Sequence, residues 1–257
     1  AEVHAWLCWL MVAVGASVFL FELILRARAP YGRYASLSAS RWYGPPIDPR
    51  FAWAFQESWS FTVPLVLLKF AREACLQSSC NQILLAMFVG HYANRTFIYS
   101  FRLRSGSRMP IGICLLAAAF CAFNGLVQGL TWTMLVERKI ESLLDGVLFF
   151  VGCSIWGVGL AINYHSDGVL RSLRRPGDTR YKIPRGGAFE LVSCANYLGE
   201  IIEWTGYAIA ARTFGAFAFA FFTFANTGPR AHHHHQWYLK HFDDYPKSRR
   251  ALIPWIW

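Results

Sequence analysis

The sequence contains no CxxC pair, no GKS or GKT phosphate loop, no internal repeat and no low-complexity linker. Without a CxxC pair, metal or redox use of the seven cysteines (Cys8, Cys75, Cys80, Cys114, Cys121, Cys153 and Cys194) is unsupported, and buried thiols in apolar stretches are expected. Gly157-Val158-Gly159 is followed by Leu160, Ala161 and Ile162, so the third glycine of a dinucleotide fingerprint is missing. The pair also lies in an apolar run and follows no strand, which excludes a soluble-type nucleotide fold. Any nucleotide has to be held by a helical bundle. Acidic residues are scarce, 15 against 25 Lys and Arg, for a formal charge of +10. A basic balance suits nucleic acid, an anionic membrane surface or an anionic ligand. The hydropathy makes nucleic acid the poorest of the three.

What the chain has in quantity is apolar surface. Of 257 residues, 55% are hydrophobic before glycine is counted, above the usual share of a soluble domain, and the mean hydropathy is positive. There are 11 Trp, 11 Tyr and 21 Phe, and Trp and Tyr collect at membrane interfaces. About 20 mostly apolar residues are needed to cross a bilayer as a helix. Residues 5–25 qualify; they are too long, and lack the basic start and cleavage signal, to read as a secretory signal peptide. Further spans are expected near 51–68, 81–100, 110–136, 144–164, 191–211 and 213–227. The expected fold is therefore all-α, one integral membrane domain over residues 1–257 with about seven transmembrane helices.

Seven spans sort the basic residues sharply. One side collects Arg26, Arg28, Arg33, Arg41 and Arg50, then Arg102, Arg104 and Arg108, then Arg171, Arg174, Arg175, Arg180, Lys182 and Arg185, and finally Arg230, Lys240, Lys247, Arg249 and Arg250. The other has Lys69, Arg72, Arg138, Lys139 and Arg212, with Arg95 inside a span. The positive-inside rule puts the N-terminus outside or in a lumen and the C-terminus in the cytosol. That is a multi-pass protein of the endoplasmic reticulum, if eukaryotic, or of the inner membrane, if bacterial.

Ionisable groups inside spans are costly and so mark candidate sites. Gln56-Glu57 lies in the second span. Its carboxyl must face a cavity, pair, or stay protonated, and a neutral carboxylic acid can donate a hydrogen bond to a carbonyl oxygen. The bland alternative is an interhelical hydrogen bond. Tyr92, Arg95 and Tyr99 share a face of the third span; for Tyr92 the alternative is an interface anchor. Asn163, Asp167, Arg171 and Arg174 line one face if their helix continues past the membrane. Asn196, Glu200 and Glu203 line another, and their carboxylates need cations or donors from the Arg-rich segment 165–190 or from a ligand. His232 to His235 lack companion ligands at metal spacing, so no metal site is expected. They suit a polar, cytosolic helix start near a ligand.

Several strings then resemble the steroid 5α-reductase family: Asn163 to Asp167, Leu170 to Gly177 (LRSLRRPG), Tyr181 to Gly187 (YKIPRGG), Asn196 to Tyr207 (NYLGEIIEWTGY), His91 to Ser100, Gln56-Glu57, and the tail from His241 to Trp257. The resemblance runs from about Tyr31 to Trp257 and is nearest to the type 2 isozyme. It implies a seven-helix membrane reductase that reduces the Δ4 double bond of a 3-oxo steroid with NADPH. It implies that Glu57 and Tyr92 bind the 3-keto oxygen, supported by Gln56. Nucleotide contacts map onto Asn163, Asp167, Arg174, Tyr181, Asn196, Glu200, Arg230, His234 and Tyr238, with Arg95 and Arg108 beside them. Lys182 stands where the family has arginine, and the loop from Arg102 to Pro110 is one residue longer. Expected partners are a steroid and the lipid bilayer, with no obligate protein partner. Competing readings are a trans-2-enoyl-CoA reductase of the same superfamily, an isoprenylcysteine-type methyltransferase, and a seven-span receptor or transporter. The pairing of Gln56-Glu57 with Tyr92 favours a ketone-bearing sterol.

Overall fold

The computed structural model describes residues 1–24, 34, 42–104, 108–173 and 181–257, and it is all-α. Its long helices are α1 (Glu2–Ile24), α2 (Pro49–Leu67), α4 (Ser79–Ala93), α5 (Ile111–Leu130), α6 (Leu143–Ser172), α7 (Ala195–Ala211) and α8 (Phe214–His241), with a short α3 (Glu73–Gln77) before α4. Each expected span falls on one of the long helices. Among the described residues, α1, α5 with its continuation to Leu135, and α6 are long and apolar enough to cross a membrane. The last apolar stretch, expected at 213–227, belongs to a helix that runs on for four more turns. His232 to His235 thus lie inside α8, and the expectation of a helix start there is corrected. The helix of the fifth span likewise continues to Ser172, so Asn163, Asp167 and Arg171 do share a continuous helix. Arg174 lies outside the described residues.

The chain packs as two compact units, Ala1–Cys8 with Ala29–Ser142, and Trp9–Arg28 with Leu143–Trp257. In the first, α2 starts where the Asp48 carboxylate caps the Arg50 amide at 2.8 Å, with Pro49 in the first turn where its missing N–H costs nothing. α2 lies against α5 through Gly125 and Gly129. A Cβ on Gly125 would stand 3.0 Å from the Trp59 carbonyl oxygen and 3.1 Å from the Ser60 Cα; one on Gly129 would stand 3.1 Å from the Pro64 Cα. Four-residue spacing of glycines is how helices approach closely where no hydrophobic force drives them together. Two π-helical stretches, Asn94–Tyr99 after α4 and Thr131–Leu135 after α5, widen the ends of their helices. Asn81 closes the second: its amide donates to the Trp132 and Val136 carbonyls (2.8 and 2.6 Å) and accepts from the Arg138 amide at 2.9 Å. Strands β1 (Pro46–Ile47) and β2 (Met109–Pro110) pair antiparallel.

In the second unit α6 and α7 meet along a tighter seam. Gly152 and Gly159 are seven residues apart on α6, as Gly199 and Gly206 are on α7. A Cβ on Gly159 would reach 2.2 Å from the Glu203 nitrogen, and one on Gly199 would reach 2.5 Å from the Asn163 nitrogen. Real side chains do not come so near, so these backbones touch. Arg212 ends α7 with left-handed backbone (φ 51), and its guanidinium donates to the Asp145 carboxylate at 2.5 Å, tying that end to the start of α6.

The chain after α8 folds back on the segment before α7. Ser193 N–H donates to the Arg250 carbonyl at 2.8 Å, Arg250 N–H to the Leu191 carbonyl at 3.0 Å, and Cys194 N–H to the Ala251 carbonyl at 3.2 Å. This pairing delays α7 by four residues relative to the expected start. Arg249 is buried there, donating to the Pro184 carbonyl (2.8 Å) and to Glu190 (3.3 Å). The Ser193 hydroxyl lies 2.6 Å from both His235 Nδ1 and the Tyr245 phenol.

Two outcomes follow from this packing. Gly159→Ala should cost about 1–3 kcal/mol by overpacking and lower the thermal midpoint in detergent. Gly157→Ala, with no atom within 4 Å of the new methyl, should leave the midpoint unchanged or raise it. Equal effects at both positions would reject the seam. Burial pulls the His235 pKa below its ordinary 6.5, with His232 and Arg250 acting in the same direction. The unfolded chain then binds that proton more readily between the lowered value and 6.5, so stability falls as pH drops through that window. His235→Asn keeps a polar side chain for Ser193 without titrating. Its midpoint should decline less than that of the wild type from about pH 7 to pH 5; matching declines would remove His235 from the acid response.

Candidate active site

In the first unit, a cluster of polar side chains is buried among apolar helices. Gln56 and Glu57, adjacent on α2, are both buried, as are Tyr92 on α4 and Arg95 in the π-helical turn. One Glu57 oxygen lies 3.8 Å from Arg95 Nη2, an ion-pair distance longer than a hydrogen bond. The Arg95 guanidinium sits over the Tyr99 ring at 3.9 Å and beside Trp53 at 5.1 Å, so two aromatic faces support a cation inside the helices. The π-helical geometry re-aims the side chains that follow α4, and such distortions recur at functional sites. Ser100 anchors it by donating to the Arg95 carbonyl at 2.7 Å.

Tyr92 is not an interface anchor. Its phenol oxygen accepts from the Asn124 amide at 3.3 Å, and the Asn124 carbonyl in turn accepts from Gln128 at 3.5 Å. Ser60 reaches the same phenol while donating to the Cys121 carbonyl at 2.8 Å. Asn124 and Gln128 were not anticipated as site residues. Their i, i+4 spacing inside an apolar span is the signal that points to them, because two fully buried amides in a membrane helix need partners. The oxygen of the Gln56 side-chain amide is buried without a hydrogen-bond partner among the described residues. An acceptor in that state is expected where a ligand completes the site.

The second unit holds another polar group, on α6, α7 and α8. Asn163 donates to the Asn196 carbonyl at 3.1 Å and to Glu200 at 3.3 Å. Three of the expected nucleotide contacts thus meet, because the Gly199 seam presses α7 onto Asn163. Asp167 is one turn further along α6, and Ser166 beside it is fully buried with its hydroxyl unpartnered among the described residues. Arg230 on α8 donates to Glu22 of α1 at 3.3 Å. Tyr181 packs edge-on to Trp237 with centroids 5.0 Å apart, His234 lies 6.1 Å from the Tyr197 ring, and Tyr238 stacks on Tyr245 at 5.1 Å. The four histidines are not one cluster of ligands: His232 stacks on Trp257, while His235 serves Ser193. Arg95 and Arg108 belong to the first unit, Arg108 as an exposed residue whose charge acts on Asp48.

The polar set of the second unit suits the hydroxyls of a ribose-bearing ligand such as NADPH. It offers amides, carboxylates that accept from hydroxyls, and a buried serine hydroxyl without a partner among the described residues, while Arg230 is paired with Glu22. The first unit offers hydrogen-bond donors and a cation in an apolar surrounding, which suits a single carbonyl oxygen on an otherwise greasy molecule.

Residues 107–257 match the family model described as 3-oxo-5-alpha-steroid 4-dehydrogenase. The chain is 44% identical over 252 residues to 3-oxo-5-alpha-steroid 4-dehydrogenase 1 of Macaca fascicularis and to that of Homo sapiens, which covers 97% of this chain and 92% and 94% of theirs. It is 47% identical over 235 residues to 3-oxo-5-alpha-steroid 4-dehydrogenase 2 of Rattus norvegicus, 91% of this chain and 90% of that one. With its helical membrane fold and matches of this extent, the chain belongs to the 3-oxo-5α-steroid 4-dehydrogenase family, the steroid 5α-reductases.

Proposed function

We propose that this protein is an NADPH-dependent steroid 5α-reductase, a multi-pass membrane enzyme that reduces the Δ4 double bond of 3-oxo-Δ4-steroids. The proposal includes seven spans forming one reductase domain, an N-terminus outside or in the lumen, and a cytosolic C-terminus. The observation that carries the reaction is the buried group of Glu57, Arg95, Tyr92 and Asn124, polar chemistry set among apolar helices in a member of this family.

Conjugate reduction builds negative charge on the 3-oxygen. Donors aimed at that oxygen stabilise the charge more than they stabilise the ground-state ketone. Tyr92 is assigned as such a donor, with Glu57 beside it at the same oxygen. Asn124 donates to the phenol oxygen and so holds the phenol in place. Arg95 adds positive charge next to Glu57. Gln56 supports the pair. When bound, the nicotinamide supplies the hydride. Asn163, Asp167, Asn196, Glu200, Arg230, His234, Tyr238 and Tyr181 are assigned to holding the nucleotide, with Arg174 from the resemblance and Arg95 and Arg108 as further candidates.

The direct test is steroid-dependent NADPH oxidation by purified protein, with the product analysed. A 5α-reduced steroid is expected; turnover of an enoyl-CoA but no steroid would keep the cofactor and reject the substrate. Glu57→Gln and Tyr92→Phe should each lower turnover by about 100-fold or more with unchanged NADPH affinity. Asn124→Ala, which leaves the phenol in place, should lower it by about tenfold. Near-normal turnover in the first two variants would remove Glu57 and Tyr92 from the chemistry. For the nucleotide, Asn163→Leu and Glu200→Gln should weaken NADPH binding by about tenfold, read from NADPH fluorescence without steroid. Unaltered affinity in both would place the nucleotide elsewhere.

A further inference from the structure

The last turn of the chain exposes large apolar side chains beside a helix whose character changes at the same level. Ile256 N–H and Trp257 N–H donate back to the Ile253 carbonyl (3.1 and 3.0 Å), and the amides of Leu252 and Ile253 donate to the Trp257 oxygen (2.8 and 2.6 Å). This closed turn is held to the unit by the buried Ala251 and Leu252 and by the Trp257 ring. Its tip is different. Trp255 and Ile256 are each 79% exposed, and Trp255 has left-handed backbone (φ 62), a conformation rare for a bulky side chain.

The level of this tip on α8 can be read from Trp257. Its ring lies 6.2 Å from Phe224, 6.4 Å from His232 in a stacked arrangement, and 3.1 Å from where a Cβ on Gly228 would stand. Between Phe224 and His232 the helix passes from an aromatic, apolar stretch to Arg230 and the histidines. That change, over about 12 Å of helix, is the profile of a bilayer boundary. The exposed charges of the end of α8 and the tail are mixed, Lys240, Lys247 and Arg250 with Asp243 and Asp244. Tryptophan is the side chain favoured at headgroup level.

We infer that the turn at Trp255 and Ile256 is an interfacial anchor that inserts into the boundary of the lipid bilayer and so holds the tail against the membrane. This rests on the reading of α8 as a membrane span and on nothing in the proposed reaction. The tail is the segment that pairs with residues 191–194 and carries Arg249 to Pro184 and Glu190, so the anchor would steady the approach to α7.

The experiment uses the full chain in nanodiscs of phosphatidylcholine and phosphatidylserine, with a nitroxide on Ile256→Cys. The native cysteines are buried or half-buried, and the spectrum of wild-type protein treated with the label is subtracted. Power saturation compares accessibility to oxygen, which partitions into lipid, with accessibility to a water-soluble nickel chelate. Phe217→Cys on the apolar part of α8 and Asp243→Cys in the exposed tail serve as references. The expected oxygen-to-nickel ratio at 256 is roughly threefold or more above that at 243 and below that at 217. A ratio equal to that at 243, with 217 deep in lipid, overturns the anchor alone. An aqueous signal at 217 overturns the span on which it rests. Dipolar broadening between labels identifies a second copy as the occupant and overturns the lipid assignment. Should Ile256→Cys fail to fold, Trp255→Cys reports on the same turn.

Discussion

Backbone-to-backbone contact at glycines is the constraint on which both units depend. In a bilayer the tails are as apolar as leucine, so helices are not driven together by water, and close approach has to come from small residues. At Gly159 and Gly199 the backbones of α6 and α7 leave no room for a methyl group. At Gly125 and Gly129 α5 approaches α2 almost as closely. The polar residues of each unit lie beside these contacts: Asn163 faces Gly199, Ser60 faces Gly125, and Asn124 is the neighbour of Gly125. The same packing that holds the helices together therefore sets which side chains meet.

Close packing also accounts for how so much polarity is kept among apolar helices. A buried amide or carboxylate is costly unless it has partners. Gln128 donates to Asn124, which donates to the Tyr92 phenol; Asn163 donates to two acceptors on α7; Arg95 is supported by two aromatic faces and a carboxylate. Several buried atoms lack a hydrogen-bond partner among the described residues: the Gln56 oxygen and the Ser166 hydroxyl lie in the two polar groups, while the Thr96 hydroxyl and the Trp156 indole nitrogen lie outside them. One unit carries an ion pair and a hydrogen-bonded phenol among apolar helices, and the other carries amides, carboxylates and a buried hydroxyl.

Outside the apolar stretches, the tail after α8 acts as a clasp on the segment before α7. Its backbone pairing, the buried Arg249 and the Ser193–His235–Tyr245 group connect three stretches of chain that are far apart in sequence. Burial raises the Tyr245 pKa and lowers that of His235, so at neutral pH both groups favour their uncharged forms, which suits a hydrogen-bonded contact without net charge.

The sequence by itself determined that the chain is helical, where its apolar stretches lie, that it belongs to a steroid reductase lineage, and which polar residues stand inside those stretches. Composition and hydropathy are local and additive, so they survive without coordinates. Gln56, Glu57, Tyr92 and Asn163 were legible for that reason. Only the tertiary structure decided that Tyr92 is held by Asn124, that Glu57 faces Arg95, that His232 to His235 continue a helix instead of starting one, and that the tail closes over Leu191 to Cys194. The pairings among these join residues about thirty to sixty positions apart in the chain. Hydrophobic periodicity is silent on such pairs, because it records which face of a helix is buried and not which helix covers it.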